Sequence, residues 1–228
     1  LGSQLNIAIG PLVQSWRIGF SDARVPSEAE LNAKLALTDP SQIVLDDATH
    51  SVFLTEPGMA IDLGSLAKGY IGDRLLAYLQ SVGARSGLLN LGGNLLVFGP
   101  SSHPRGLWRI GIRDPQGDRE EYRLILATPA TSVVTSGIYE RQLVTGNHRY
   151  HHLIDRYTGH PLETDLASLT ILSQKSVDGE IWTTRLFGKE PDEILAILAQ
   201  TPGIEGILIM KDRQVLTSAQ VADHIIWQ

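Results

Sequence analysis

Cysteine is absent from all 228 residues. That excludes disulfides and Cys-ligated zinc or iron–sulfur centres, and leaves the redox compartment open. A basic run is missing too. The 19 Lys and Arg are outnumbered by 25 Asp and Glu, scattered along the chain, for a formal charge of -6. Duplex nucleic acid needs clustered cations against its phosphates, so the composition argues against such a partner. No run of 18 apolar residues occurs, so no segment reads as a membrane-spanning helix. No signal-peptide pattern opens the chain. It begins at Leu1 rather than Met and enters an apolar segment almost at once, so we expect a preceding portion to be missing. Nor does any single motif pair a Ser or Cys nucleophile with a base, which argues against a hydrolase of that kind.

What is present can build a core. Hydrophobic residues make up 43% of the chain, enough for one large domain or two small ones. The stretch Ile61-Asp62-Leu63-Gly64-Ser65-Leu66-Ala67-Lys68-Gly69-Tyr70-Ile71-Gly72-Asp73 organises the reading. Met59 to Leu63 has the pattern of a short strand, and Gly64-Ser65 that of a helix start. Leu66, Ala67, Tyr70, Ile71, Leu75 and Leu79 would form the apolar face, and Gly83 the C-terminal cap. Asp62 then ends a strand, Ser65 opens a helix, and Lys68 follows about one turn later. A helix N-terminus offers free N–H groups and a positive dipole end, which suit phosphate. An ordinary strand–turn–helix with a surface Lys fits the spacing equally well. Gly69 and Gly72 each cost ~1 kcal/mol inside a helix, so a packed strand or a ligand is expected close to that backbone.

Elsewhere, Leu5 to Ile9 reads as a strand. Gly10-Pro11 starts a helix with Leu12, Val13 and Trp16 inward. Ser27-Glu28-Ala29-Glu30 is a capping box for a helix carrying Leu31 and Leu35. Hairpins are expected over 43–54 and over 139–154, the second turning at Thr145-Gly146-Asn147. Leu88–Leu91 and Leu95–Phe98 flank Gly92-Gly93-Asn94, whose paired glycines suggest a bulge or a backbone pressed against something. Further strands fall at 108–112, 122–127, 133–137 and 166–172. Helices fall at 178–187 and 191–200, before a closing hairpin over 204–217. Antiparallel strand runs with helices between them predict an α+β fold of mainly antiparallel sheets with packed helices.

Three constellations carry chemistry. On a strand through His151 and His152, alternation puts His151 and Asp155 on one face, and Tyr150, His152 and Ile154 on the other. Glu180 and Thr184, four apart on a helix, give a carboxylate and a hydroxyl suited to magnesium; a surface Glu and a back-bonded Thr fit as well. Asn90 with Gly92 and Gly93 could aim N–H groups at an anion.

Taken in order, these stretches resemble the FAD:protein FMN transferase family, ApbE. The matching pieces are Gln4-Leu5-Asn6-Ile7-Ala8-Ile9-Gly10-Pro11-Leu12-Val13 with Trp16, then 62–70, then Asn90-Leu91-Gly92-Gly93-Asn94. Thr135-Ser136-Gly137-Ile138-Tyr139-Glu140-Arg141 follows, then His152-Leu153-Ile154-Asp155 with Thr158-Gly159 and Pro161, and Glu180-Ile181-Trp182-Thr183-Thr184. The resemblance implies one ApbE-like domain over 1–228, lacking the family's N-terminal portion. It implies that FAD is split at its pyrophosphate, FMN joins a Thr or Ser of a target protein, AMP leaves, and Mg2+ is needed. By resemblance Gln4, Leu5 and Asn6 line the flavin nucleotide, Asp62 and Lys68 contact FAD, and Ile154 borders it. Ser65 (by its carbonyl), Glu180 and Thr184 surround the metal, and His152 assists proton transfer. The family also suggests an extracytoplasmic, membrane-anchored protein, with a cytoplasmic form as the alternative. Asn6 and Glu180 stand where the family has Asp. Thr183 replaces a residue that is often small or acidic, and Arg156 replaces the Pro of Asp-Pro-x-Thr-Gly. An FAD-binding protein or fragment without transferase activity is the alternative function.

Overall fold

The computed structural model describes residues 3–118 and 120–227. A 3-10 turn at Ile7–Ile9 leads into α1 (Gly10–Trp16), then α2 (Glu28–Leu35). A hairpin, β1 (Ile43–Asp46) and β2 (Ser51–Leu54), precedes α3 (Ala67–Ser81). Then come β3 (Gly87–Asn90), β4 (Asn94–Phe98), β5 (Trp108–Arg113), β6 (Tyr122–Thr128) and β7 (Thr131–Gly137). The hairpin of β8 (Gln142–Thr145) and β9 (His148–His151) precedes β10 (Leu166–Ser173). The chain ends with α4 (Ser176–Leu186), α5 (Pro191–Ala199), β11 (Ile204–Met210), β12 (Val215–Thr217), α6 (Ala219–Ala222) and β13 (Ile225–Trp227).

These elements form two compact units. Unit 1 is Leu1–Gly64 with Ile138–Glu163, and unit 2 is Ser65–Gly137 with Thr164–Gln228. Unit 1 buries Leu12, Trp16, Ile18, Leu31 and Ile154 around α1 and α2. Half of the expected capping box forms: the Ser27 hydroxyl accepts the Glu30 N–H at 3.3 Å, while the Glu30 carboxylate accepts from Arg24 at 2.8 Å. Trp16 donates its ring N–H to the Gly159 carbonyl at 2.8 Å, tying α1 to the 155–161 turn.

Unit 2 holds a six-stranded sheet, β12-β11-β10-β7-β4-β3, and a three-stranded sheet, β13-β6-β5. Every ladder is antiparallel. Val97, Val133, Ile207 and Ile209 of the larger sheet cluster with Ile110, Ile112, Leu124 and Leu126 of the smaller one. The opposite face of the larger sheet takes α4, where Gly179 lets Val134 come within close contact: a Cβ there would stand 2.5 Å from Val134 Cγ2. The α+β, mainly antiparallel architecture predicted from the strand runs is the one observed.

Five local expectations are corrected. Leu5–Ile9 is not a strand, because the Asn6 side chain accepts the Ala8 N–H at 3.0 Å and starts a 3-10 turn instead. Met59–Leu63 forms no strand; Met59 N–H closes a turn onto the Glu56 carbonyl, Asp62 N–H donates to the Ile7 carbonyl at 2.8 Å, and Asp62 Oδ1 then turns the chain by accepting the Gly64 N–H. Gly92 and Gly93, both at positive φ (64° and 86°), make the two-residue turn of the β3–β4 hairpin rather than a bulge. β9 stops at His151, so the strand alternation does not reach His152 or Asp155. Finally, much of the apolar stripe expected on α3 faces out: Tyr70 is 60% exposed, and Ile71 and Leu75 are exposed too, while Gly69 and Gly72 are buried. The helix packs by its small residues, which lets two backbones approach.

Candidate functional site

In unit 2, α3 and the start of α4 touch through glycine. A Cβ on Gly69 would stand 2.6 Å from both the Ser176 carbonyl oxygen and Val177 Cα. The close approach expected of a strand or ligand is therefore made by a helix. Asp73, one turn later on α3, caps α4: its carboxylate oxygens accept the N–H groups of Ser176 at 2.7 Å and Val177 at 3.0 Å. Both are donors that a helix N-terminus leaves unpaired, and the charge suits the dipole.

One turn into α4 lies Glu180, only 3% exposed. Its Oε1 accepts a hydrogen bond from Asn94 Nδ2 at 2.9 Å and lies 3.2 Å from Lys68 Nζ. Asn94 itself is fully buried. The β4–β7 register sets Asn94 opposite Val134, on the sheet face that α4 covers. The Ser176 hydroxyl donates to Asn94 Oδ1 at 2.7 Å, so the amide turns its N–H toward Glu180. A buried carboxylate needs such partners, since its desolvation would otherwise cost several kcal/mol. Thr184 follows one turn along α4 and Ser65 precedes α3; both are half-buried. One short contact thus joins Glu180, expected at a metal, to Lys68, expected at FAD. Asn90 is exposed and spends its carbonyl on the Gly92 N–H of the turn.

Among the described residues, no group of three or more His, Cys, Asp or Glu side chains is placed to hold a metal. The groups that the resemblance names for a metal, the Glu180 carboxylate, the Thr184 hydroxyl and the Ser65 carbonyl, are all oxygen donors, the chemistry of a hard cation such as Mg2+ that keeps waters and takes few protein ligands. They do not suit zinc, which favours His and Cys.

In unit 1 the N-terminal candidates are held by hydrogen bonds to the chain itself. Asn6 is buried; its Nδ2 donates to the Thr38 carbonyl at 2.8 Å while its Oδ1 caps the 3-10 turn. A carboxylate could not donate there. Gln4 accepts the Arg156 N–H at 3.1 Å, and Arg156 Nη1 donates to the Leu5 carbonyl at 3.2 Å. Proline at 156 would remove both contacts. Ile154 is buried and bridges to Pro161. Of the His pair, His151 has its ring nitrogens 3.0 Å from the Leu162 carbonyl and 3.3 Å from the Leu153 N–H. His152 lies in the bend beyond β9, half-buried.

The model of the ApbE family matches residues 2–208. The chain belongs to the ApbE family. An FAD:protein FMN transferase of Klebsiella pneumoniae is 44% identical over 217 residues, covering 95% of this chain and 66% of that protein. One of Treponema pallidum is 35% identical, covering 98% of this chain and 65% of that protein. The chain thus spans just under two thirds of the length of each. Among solved structures, the ApbE protein of Thermotoga maritima superposes with a TM-score of 0.86 at 27% identity, covering 96% of this chain and 71% of that one. The flavin transferase ApbE of Vibrio cholerae gives 0.79 at 28%, covering 97% and 71%.

Sequence reasoning passed over Asn94, Ser176 and Asp73 in this ApbE chain. Asn94 did carry a signal, a polar residue opening the apolar run 94–98. The other two act through partners about a hundred positions away, which no local pattern reveals.

Proposed function

We propose that this ApbE chain transfers FMN from FAD to a Thr or Ser hydroxyl of a target protein, with Mg2+, releasing AMP. The observation that supports it most is Glu180: a buried carboxylate with Asn94 and Lys68 on one oxygen, at the family's metal position. In the transfer the acceptor hydroxyl oxygen bonds to the phosphorus that carries the flavin side of FAD. The pyrophosphate P–O bond breaks and AMP departs with that electron pair. The cation's chemistry, when bound, is to neutralise charge on the pyrophosphate.

The chain's own residues take these parts. Glu180, the Thr184 hydroxyl and the Ser65 carbonyl hold the cation. Lys68 sets a positive charge toward phosphate. Gln4, Leu5, Asn6, Asp62 and Ile154 border the flavin nucleotide. His152 accepts the proton of the acceptor hydroxyl, a task suited to imidazole at neutral pH.

Incubating the chain with FAD, Mg2+ and an acceptor protein bearing the target Thr tests this. Flavin fluorescence that stays on the acceptor through denaturation is the expected result. Flavin bound to the chain but lost on denaturation would reject transfer and leave an FAD-binding protein. The variant His152→Ala should keep FAD affinity and slow transfer; an unchanged rate would remove His152 from the proton's path.

A further inference from the structure

Glu180 has two partners of opposite character. Asn94 is fully buried, anchored at the start of β4 and oriented by the Ser176 hydroxyl. Lys68 sits on the second residue of α3, and its side chain is 42% exposed. Its ammonium is a point charge on a flexible four-carbon stem. Both converge on the same oxygen, Oε1, at 2.9 Å and 3.2 Å.

A buried carboxylate without a cation is costly, and one carboxylate oxygen does not hold a divalent ion beside an ammonium at van der Waals distance without strong repulsion. We propose that Lys68 is a placeholder cation: it neutralises Glu180 while no metal is bound, and the metal displaces it. Asn94 keeps the carboxylate aimed throughout. The displaced ammonium is then available to an anionic group of the nucleotide. Cation and nucleotide therefore bind with positive coupling through one lysine, because the metal frees the charge that the phosphates use. This rests on the reading of Glu180 as a cation ligand.

The test uses Mn2+ as probe, an oxygen-seeking octahedral ion like Mg2+ that is visible by electron paramagnetic resonance. Free and bound Mn2+ are titrated with the full chain, its Lys68→Gln and Lys68→Arg variants, and Glu180→Gln. Without FAD, Lys68→Gln should bind Mn2+ roughly three- to tenfold more tightly than the parent, as expected for removing a half-exposed competitor. Lys68→Arg keeps the competing charge and should bind no more tightly than the parent. With Mn2+ saturating, Lys68→Gln should bind FAD less tightly. Should Lys68→Gln fail to fold around its unpaired carboxylate, the comparison of parent with Lys68→Arg, with and without FAD, still decides. FAD must tighten Mn2+ binding in the parent, and less so in the arginine variant. Equal or weaker Mn2+ affinity in Lys68→Gln, or no effect of FAD on the parent's affinity, would overturn the exchange while leaving the metal site intact. Mn2+ uptake that Glu180→Gln leaves unchanged would instead overturn the metal reading itself, and the exchange with it.

Discussion

In unit 1 the polar candidates are held by hydrogen bonds to the protein's own backbone. Asn6 bridges the Thr38 carbonyl and the Ala8 N–H, and Arg156 grips Gln4 and the Leu5 carbonyl. In unit 2 the corresponding group is a charged one, Glu180, buried and balanced by an ammonium that solvent can reach. The first arrangement shapes a segment and has little reason to change. The second holds a charge that, on the function proposed above, an incoming cation takes over. The contrast is between neutral contacts that shape a segment and a buried charge balanced at the surface.

The comparison can be broken at four places. The largest effect is expected at the helix contact that brings Lys68 to Glu180. Gly69→Ala drives a methyl into the backbone of Ser176 and Val177, and should destabilise by about 3 kcal/mol. Gly72→Ala is the control. Its Cβ meets Leu91 and Ser176 side chains at 3.4 Å and 3.7 Å, ordinary contact, and the helix gains up to ~1 kcal/mol. Thermal melting of both variants checks the pair; equal melting points would show that α3 and α4 are not held backbone to backbone.

Next in size is Asn6→Asp, which faces a carboxylate toward the Thr38 carbonyl. A loss of about 2 kcal/mol is expected, with a smaller loss at low pH where a protonated acid can donate. Denaturant midpoints at two pH values measure it, and a neutral or stabilising result would free Asn6 from its structural task.

Much of this contrast was invisible in the sequence, for a physical reason. The hairpins, the Ser27 helix cap and the antiparallel strand runs were legible locally, because turn residues and two-residue alternation act over a few positions. The Glu180–Thr184 spacing was legible for the same reason. Tyr70, Ile71 and Leu75 face outward against the apolar periodicity, because α3 packs through its glycines instead. The Asn94–Glu180 bond spans 86 positions and depends on strand register. Asn6 looked like strand, and only its capping bond to Ala8 shows why the chain turns there.

Arg156→Pro should cost about 1–2 kcal/mol, removing an N–H and a guanidinium from the Gln4–Leu5 segment. Arg156→Ala keeps the N–H and should cost about half as much. If the segment borders flavin, FAD affinity should follow the same order; melting points and FAD titration separate the two effects. Unchanged values in both variants would show that Arg156 holds nothing.

The smallest effect is a pH dependence of unit 1. Asp39 is held below the usual carboxylate range chiefly by the Ser41 N–H, with its hydroxyl and then Arg156 contributing, and Asp46 chiefly by the Thr49 hydroxyl. A carboxyl lowered on folding stabilises above its unfolded value, and that contribution fades as the pH falls through the lower folded value. The melting point should stay level from neutral pH to about 5 and fall below about 4. Asp39→Asn should shrink that fall slightly, and a variant with the parent's full acid dependence would remove Asp39 from the account.

The claim on which the contrast rests is that Glu180 is the carboxylate that takes a cation. Mn2+ binding to the full chain in the presence of FAD, compared between the parent and Glu180→Gln with folding verified by melting, tests it most directly. The account predicts that the parent binds Mn2+ and that the variant loses at least tenfold in affinity, as removal of the site's one ionised ligand requires. Equal Mn2+ affinity in the two proteins would contradict it.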